Sequence, residues 1–340
     1  MYNIAVIGAT GNAGSKTLEI LAERNFPVKN IIAIASENST GKKINFKDTS
    51  IVIKTISSVD FSDMDIAIFC AGSTVSSHHA EMVTKAGCII IDKTSYFRLN
   101  PMVPLIIPEV NRNDLLEKGA PLGIISTPNC VAVPLAMTLK ALSQISTIKK
   151  IVVSTYQSVS GAGYKAMEEL KHQCKSIVMD QSPEVTIFPK QIALNVIPKV
   201  GSFYDSGVSE EEDKISGELR KILQSNMEIA ITCVRVPVLV GHSASVFCEF
   251  DRSVTLNDAR TILEKFNGIV LTDELVSPID VARKNEVYVG RLRKSTTGET
   301  GLLYWVVSDN LRKGAALNSV QIAEAMILID PSLSKFRRIY

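Results

Sequence analysis

Apolar positions in the first third of the chain fall into short continuous runs separated by helical patterns. YNIAVI (2–7) leads into the glycine-rich GATGNAG, after which Ala13, Thr17, Leu18, Ile20 and Leu21 recur at helical spacing from about Asn12. Such short runs read as buried strands, and the recurrence as an amphipathic helix. IIAIA (31–35) predicts a second strand. DIAIFC (65–70) predicts a third, running through Ala71 and Gly72 into a helix near 74–86, and CIIID (88–92) a fourth. Strands alternating with helices predict a parallel sheet. LGII (122–125) is a further short buried pattern, followed by the turn residues Pro128 and Asn129 and a helix carrying Val131, Leu135, Leu139 and Leu142.

The pattern then changes. Residues 151–156 read as a strand ending at Gln157, followed by Ser160-Gly161-Ala162-Gly163 and a polar helix from about Tyr164. Residues 209–223 are helical, and 232–250 form two strand segments with Val234, Val236, Val238 and Val240 on one face. Arg235 and His242, seven apart, would point to opposite faces of an unbroken strand, but Pro237 and Gly241 can break it. Residues 309–328 form a loop and then a helix returning to the first domain, with small residues at 314–316 facing a cofactor. The expected fold class is α/β. A Rossmann-type doubly wound parallel sheet spans 1–127 plus 316–340, and an α+β domain spans 128–315.

Composition changes this picture little. The 340 residues are 46% hydrophobic and 21% charged with net charge +2, which gives no case for nucleic acid or an anionic membrane as partner. No apolar run approaches a membrane span, and the chain enters a strand without a charged-then-apolar leader, so a soluble cytoplasmic protein is expected. Six cysteines (70, 88, 130, 174, 233 and 248) without a CxxC pair indicate a reducing compartment rather than a disulfide framework. Four histidines, with His78 and His79 adjacent, make no metal-ligand pattern, and no metal is expected.

Candidate chemistry sits at strand ends. Gly8 suits a tight turn, Gly11 lets backbone approach a pyrophosphate, and Gly14 lets helix pack close to strand. The spacing is GxxGxxG, with Thr10 offering a hydroxyl and Asn12 and Ala13 beginning the helix. Cys130 stands at a strand-to-helix junction. A helix N-terminus favours thiolate over thiol, and its unpaired N–H groups can hold an oxyanion, so a reactive thiol competes with a buried core thiol. Arg98 is a candidate anion ligand, Gln157 a donor into a cleft and His242 a general acid/base at a strand end. Glu211 and Lys214, three apart on one helix, read by themselves as an exposed ion pair.

Together GATGNAG, DKTSYFR, IIPEVN, STPNC, QSVSGAG, FPKQIALNVIP, EEDKISGELRKIL, VRVPVLVGHS and DNLRKGAALNSVQIAE resemble, in order and spacing over nearly the whole chain, aspartate-semialdehyde dehydrogenase. The resemblance implies reduction of aspartyl-4-phosphate to aspartate semialdehyde with NADPH and release of phosphate. That step leads toward lysine, diaminopimelate, methionine and threonine. It implies Cys130 as a nucleophile forming a thioester, His242 as acid/base and Gln157 orienting the acyl group. It also implies that Arg235 binds the substrate α-carboxylate and Glu211 its ammonium, with Asn129 in the substrate site and Arg98 and Lys214 holding phosphate. It further implies Ser36, Asn38, Ser39, Ser160, Gly161 and Asn318 as cofactor contacts beside the glycine turn, and a homodimer through the second domain.

Two positions depart from the family pattern. DKTSYFR has Lys93 and Thr94 where the family usually has Asn and Ser, and SENSTGK (36–42) has Asn38 where an arginine is usual. NADP is therefore expected over NAD by a narrower margin, since one bidentate phosphate contact is missing. Rival readings are N-acetyl-glutamyl-phosphate reductase, which should lack the Gln157 and Glu211/Lys214 set, and a non-catalytic dinucleotide sensor, which would lose Cys130 or His242.

Overall fold

The computed structural model describes residues 1–296 and 300–338. The chain divides into two units, Met1–Asn129 with Ala315–Tyr340, and Cys130–Gly314. Positions 339 and 340 of the expected first domain lie outside the described residues.

In the first unit, β1 (Tyr2–Ile7), β2 (Val28–Ile34), β3 (Lys43–Phe46), β4 (Thr49–Val52), β5 (Ile66–Phe69), β6 (Ile89–Asp92) and β7 (Ile124–Ser126) alternate with α1 (Asn12–Glu23), α2 (Ser73–Lys85), α3 (Pro108–Asn111) and α4 (Asn113–Lys118). Five strands form one parallel sheet in the order β2-β1-β5-β6-β7. The order reverses between β1 and β5, so the turn beginning at Gly8 and the one at Ala71-Gly72 open side by side at a topological switch point. Both faces of this sheet are covered, which is why its strands are continuously apolar. Ile4, Val6, Ile68 and Ile91 pack with Leu18 and Leu21 of α1 and with Val320, Ala323 and Met326 of the C-terminal helix, Leu317–Ile329. Ala5, Ile7, Phe69 and Ile90 pack on the other side with Ala80 and Val83 of α2. The alternation along each strand thus feeds two cores. The β3–β4 hairpin is an addition to the expected elements.

The second unit contains α5 (Ala132–Leu142), β8 (Ile148–Gln157), α6 (Tyr164–Val178), α7 (Glu210–Leu223), β9 (Glu228–Arg235), β10 (His242–Phe250), α8 (Leu256–Lys265), β11 (Ile269–Leu271), α9 (Pro278–Val281), β12 (Val287–Lys294) and β13 (Gly301–Ser308). Its mixed sheet runs β11-β12-β13-β10-β8-β9. The two strand segments expected within 232–250 are separate strands on either side of β8, β9 parallel to it and β10 antiparallel. Helices α5, α7 and α8 pack together over one face of the sheet. The Tyr304 hydroxyl of β13 lies 3.1 Å from that of Thr138 in α5.

Between α6 and α7 the chain has no regular helix or strand longer than a bridge, yet it is anchored. Gln173 Oε1 accepts the backbone N–H groups of Ile192 and Ala193, and Glu169 Oε2 accepts the Thr186 hydroxyl. Ile192, Ala193 and Ile197 pack on Val159, Ala166 and Leu170.

Candidate active site

Cys130 falls two residues before α5, at the junction its neighbours predicted. The helix has no side-chain N-cap, and its N-terminal dipole end lies next to Cys130 in the chain. Pro134 sits in the first turn, where its missing N–H costs nothing. The 309–314 loop passes close by: a Cβ on Gly314 would lie 3.0 Å from both Cβ and the carbonyl oxygen of Cys130.

Strand register assembles the rest. Gln157 and Arg235 are partners at the ends of the parallel pair β8 and β9, so their side chains leave the same face. Ala244 of β10 pairs with Thr155, which puts His242, two residues earlier, on that face as well. Residues 236–241 break the strand pattern between Arg235 and His242, with Gly241 at φ +99, where only glycine is unstrained. This is the face that α5 covers, and Cys130 precedes α5. Cys130, Gln157, Arg235 and His242 thus belong to one end of one sheet.

Each group is fixed. The Arg235 guanidinium is buried and donates to the carbonyl of Ser158 at 2.7 Å. Burial lowers its pKa, against the opposing charges of Glu211 and Cys130, and the group stays cationic. Gln157 Nε2 donates to Glu211 Oε1 at 3.0 Å. Glu211 is held there because Ser209 and Glu212 form a capping box at the start of α7 while Glu212 Oε1 accepts the N–H of Cys233 in β9. His242 is 1% exposed, and its Nδ1 accepts the N–H of Ser158 at 3.0 Å. Burial first, then the positive charge of Arg235, pushes its pKa down to about 3, so the ring is neutral. A Cβ on Gly161 would lie 3.0 Å from an Arg235 guanidinium nitrogen and 3.1 Å from His242 Nε2. Glycine is needed there for that close approach. A cavity of about 410 Å³ opens beside Arg235, walled by Ala162, Ile187, Phe188 and Lys199.

Lys214 stands apart from this cluster. Its Nζ lies 3.8 Å from Glu210 across one turn of α7, an exposed pair, while Glu211 faces Gln157. The ion pair read between Glu211 and Lys214 is therefore replaced by Glu210–Lys214, because the first-turn carboxylates splay to different sides of the helix.

In the first unit, Gly8 has φ +82, and a Cβ there would meet Cys70 and Ala71 backbone at 2.9 Å. A Cβ on Gly14 would lie 2.1 Å from the Gly8 carbonyl oxygen, so this glycine is required for α1 to start against the turn. A Cβ on Gly11 would come no closer than 3.4 Å, so nothing in the protein demands glycine at that position. Gly11 is also the N-cap of α1 without a side-chain cap, and Thr10 beside it is exposed. Asn12 and Ala13 form the first turn of α1, and the positive end of a helix suits a pyrophosphate. Ser36 and Asn38 are exposed and Ser39 half-buried on the turn after β2. Arg98 donates to the carbonyls of Thr127 and Lys93 at 2.9 and 2.8 Å. Asn129 is buried just before Cys130 in sequence, and Asn318 is buried with its amide donating to the Ile106 carbonyl.

Residues 3–118 match the semialdehyde dehydrogenase NAD binding domain, and residues 139–313 match the semialdehyde dehydrogenase dimerisation domain. The aspartate-semialdehyde dehydrogenase of Rickettsia bellii is 48% identical over 96% of this chain and 98% of that protein. The chain belongs to the aspartate-semialdehyde dehydrogenase family. The enzyme of the same name from Aquifex aeolicus is 42% identical over 96% of this chain and 98% of its own length. The crystal structure of aspartate semialdehyde dehydrogenase II from Vibrio cholerae complexed with ASA superposes with a TM-score of 0.93 at 37% identity, covering 96% of this chain and 98% of that one.

Against that family background three features lay beyond the sequence reading. Ser158 and Asn310 make a buried network behind His242, and Ser160, expected at a cofactor, takes part in it. Nothing but the Asp-Asn pair after an apolar run hints at Asn310. Lys93, one of the two departures, donates to the Ala13 carbonyl and the Thr17 hydroxyl at 3.5 and 3.4 Å, and burial lowers its pKa. Thr94 bonds Asp92 and Ser76, closing the loop after β6. Among the described residues no cluster of side chains suits a metal ion, and no helix is long and apolar enough to cross a membrane.

Proposed function

We propose that this protein reduces L-aspartyl-4-phosphate to L-aspartate 4-semialdehyde with release of phosphate, a step toward lysine and diaminopimelate, methionine and threonine. The observation that carries the reading is the meeting of a thiol before a helix N-terminus with Arg235, Gln157, Glu211 and His242 at one sheet end. Cys130 attacks the acyl phosphate and phosphate departs, leaving a thioester. The nicotinamide cofactor supplies the hydride. Arg235 pairs with the α-carboxylate through its planar fork, and Glu211 with the ammonium, while Gln157 and Asn129 orient the acyl end and His242 faces its oxygen. Arg98 and Lys214 hold the phosphate, Lys214 being exposed and loosely paired enough to turn toward it. An N-acylated substrate has no ammonium for Glu211, which favours this reading over the acetylglutamyl one.

The dinucleotide lies on the α1 N-terminus with Gly8, Thr10, Gly11, Asn12, Ala13 and Gly14, and Ser160, Gly161 and Asn318 complete its binding. Ser36, Asn38 and Ser39 meet the adenosine ribose. Two hydroxyls and the neighbouring Lys42 and Lys43 favour the 2′-phosphate of NADP, and the lack of an arginine makes the margin over NAD narrow. The subunit pairs with a second copy of itself through the second unit.

The test is the reverse reaction, with aspartate semialdehyde, phosphate and either NADP or NAD. Phosphate-dependent cofactor reduction is expected, faster with NADP, and Cys130→Ala should abolish it while leaving the fold intact. No reduction would sink the enzymatic reading; NAD preference would sink the reading of the ribose loop; an active alanine variant would remove the thioester.

A further inference from the structure

Two side chains of α6 hold down the segment that follows it. Gln173 is 1% exposed, and both ends of its amide are occupied. Its Oε1 accepts the N–H groups of Ile192 and Ala193 at 2.9 and 3.0 Å, and its Nε2 donates to the Glu184 carbonyl at 2.8 Å and to Glu169 Oε1 at 3.0 Å. Backbone N–H groups only donate, so the amide has one orientation. One turn earlier on the same face, Glu169 Oε2 accepts the Thr186 hydroxyl at 2.8 Å and the N–H groups of Thr186 and Ile187. Further on, the segment is tied to Arg235 itself: Ile197 and Arg235 exchange backbone hydrogen bonds at 2.9 and 2.8 Å. Phe188 and Pro189 lie between Ile187 and Ile192, both of them tied, and with Ile187 they wall the cavity beside Arg235. Gly201, on the same cavity, packs against the start of α7: a Cβ there would lie 3.6 Å from the backbone nitrogen of Glu211. Ile187 is 44% exposed and Pro189 is exposed too, so burial does not hold this wall in place. A segment without a helix or strand of its own keeps one conformation only where such anchors offset its entropy.

We propose that Glu169 and Gln173 are positioning residues for the substrate: by clasping residues 184–193 they hold Ile187, Phe188 and Pro189 as the wall that keeps water off Arg235, and so set the affinity for the substrate's α-carboxylate. The inference rests on the reading of Arg235 as the carboxylate site. A guanidinium and a carboxylate attract weakly in open water and strongly where water is excluded. The wall supplies that exclusion with apolar side chains, and the clasp keeps the wall closed. Both clasp residues are buried and act through the segment, not on the substrate. Their chemistry suits the task. The partners of Glu169 are neutral donors, and a carboxylate accepts from all of them at once, whereas a glutamine amide would turn an NH2 group toward a donor.

The test compares the full-length protein with Glu169→Gln. Hydrogen exchange read by mass spectrometry should speed up in peptides covering 184–193, with β8, β9 and β10 as protected as in the parent. In the phosphate-dependent reverse reaction, KM for aspartate semialdehyde should rise about 10-fold, a part of the worth of a charge-assisted bond. kcat and KM for the cofactor should stay within about twofold of the parent. Released exchange with an unchanged semialdehyde KM would make the clasp merely structural and overturn the proposal. Phe188→Ala opens the wall and leaves the clasp in place, so it should give the same rise in KM while 184–193 stays as protected as in the parent. A Phe188→Ala protein with the parent KM would take the wall out of the substrate site and end the argument, whether or not Glu169→Gln folds. An inactive parent would end the dehydrogenase reading and this inference with it; an active parent with unchanged variant-to-parent ratios would end this inference alone.

Discussion

Arg235 shows how a single side chain is committed on two sides. One guanidinium nitrogen, the one beside Gly161, is spent on the Ser158 carbonyl, and the side chain also lines the cavity. Lysine would keep the charge but could not make the inward bond and offer two parallel donors outward. Arg235→Lys should raise KM for aspartate semialdehyde by about one to two decades, the worth of one charge-assisted bond, with KM for the cofactor nearly unchanged. Steady-state kinetics with each substrate varied in turn checks this, and an unchanged semialdehyde KM would take Arg235 out of the substrate site. At this scale the sequence was readable where residues declare themselves by position. Cys130 follows a Pro-Asn turn, Gln157 and His242 bound strands, and Gly241 marks the break that returns His242 to the face of Arg235. Ser158, Ser160 and Asn310 were not readable as a network, because their meeting depends on the pairing of β10 with β8 and on a loop some 150 residues away.

Among elements, the turn from β1 to α1 separates two uses of glycine that look alike in a motif. Gly14 is required by the fold, since its Cβ would overlap the Gly8 carbonyl at 2.1 Å with backbone on both sides. Gly11 has room for a methyl group as far as the protein is concerned. Gly14→Ala should therefore destabilise the first unit by about 1–3 kcal/mol or more, the usual cost of overpacking where backbone cannot move. Gly11→Ala should leave thermal stability nearly unchanged and weaken dinucleotide binding, because the methyl group projects where a pyrophosphate approaches. Thermal denaturation and cofactor titration of both variants distinguish the cases; equal loss of stability in the two would contradict the assignment. The parallel strands of this unit were legible because burial on both faces writes them as bare apolar runs. GLLYWVVS (301–308) is such a run too, but length and apolarity leave strand and helix open until β10 pairs with it. VYVGRLRK (287–294) is harder still, with arginines at positions 291 and 293 and a register shift between Gly290 and Arg293.

For the whole molecule, the decisive feature is what the mixed sheet of the second unit leaves uncovered. Ile151, Val153 and Thr155 of β8 are buried on the helix-covered face, while Val152, Ser154 and Tyr156 between them point the other way. Register sets Val152 beside Phe247 and Leu303 in one row, and Ser154 beside Ser245 and Trp305 in the next. Tyr156 and Trp305 meet with ring centroids 5.4 Å apart. Val152 is 42% exposed, and Phe247, Leu303 and Trp305 are each partly so. A contiguous apolar row on a sheet face is the kind of surface a soluble subunit covers with another, and residues 139–313 match a dimerisation domain. A homodimer through this face should therefore appear by light scattering at micromolar concentration, with twice the 37.0 kDa mass of one chain. Val152→Lys supplies the sharper half of the test. Its side chain already stands partly in solvent in the single subunit, so the fold should tolerate a lysine there. Across a two-fold interface the same change strands a charge against apolar surface twice over, a loss of several kcal/mol by the usual cost of burying unpaired charge. The variant should keep the melting behaviour of a folded chain at low concentration and sediment as a monomer. A parent protein that is monomeric at micromolar concentration would remove the homodimer, and a Val152→Lys dimer as tight as the parent would move the interface off this sheet face.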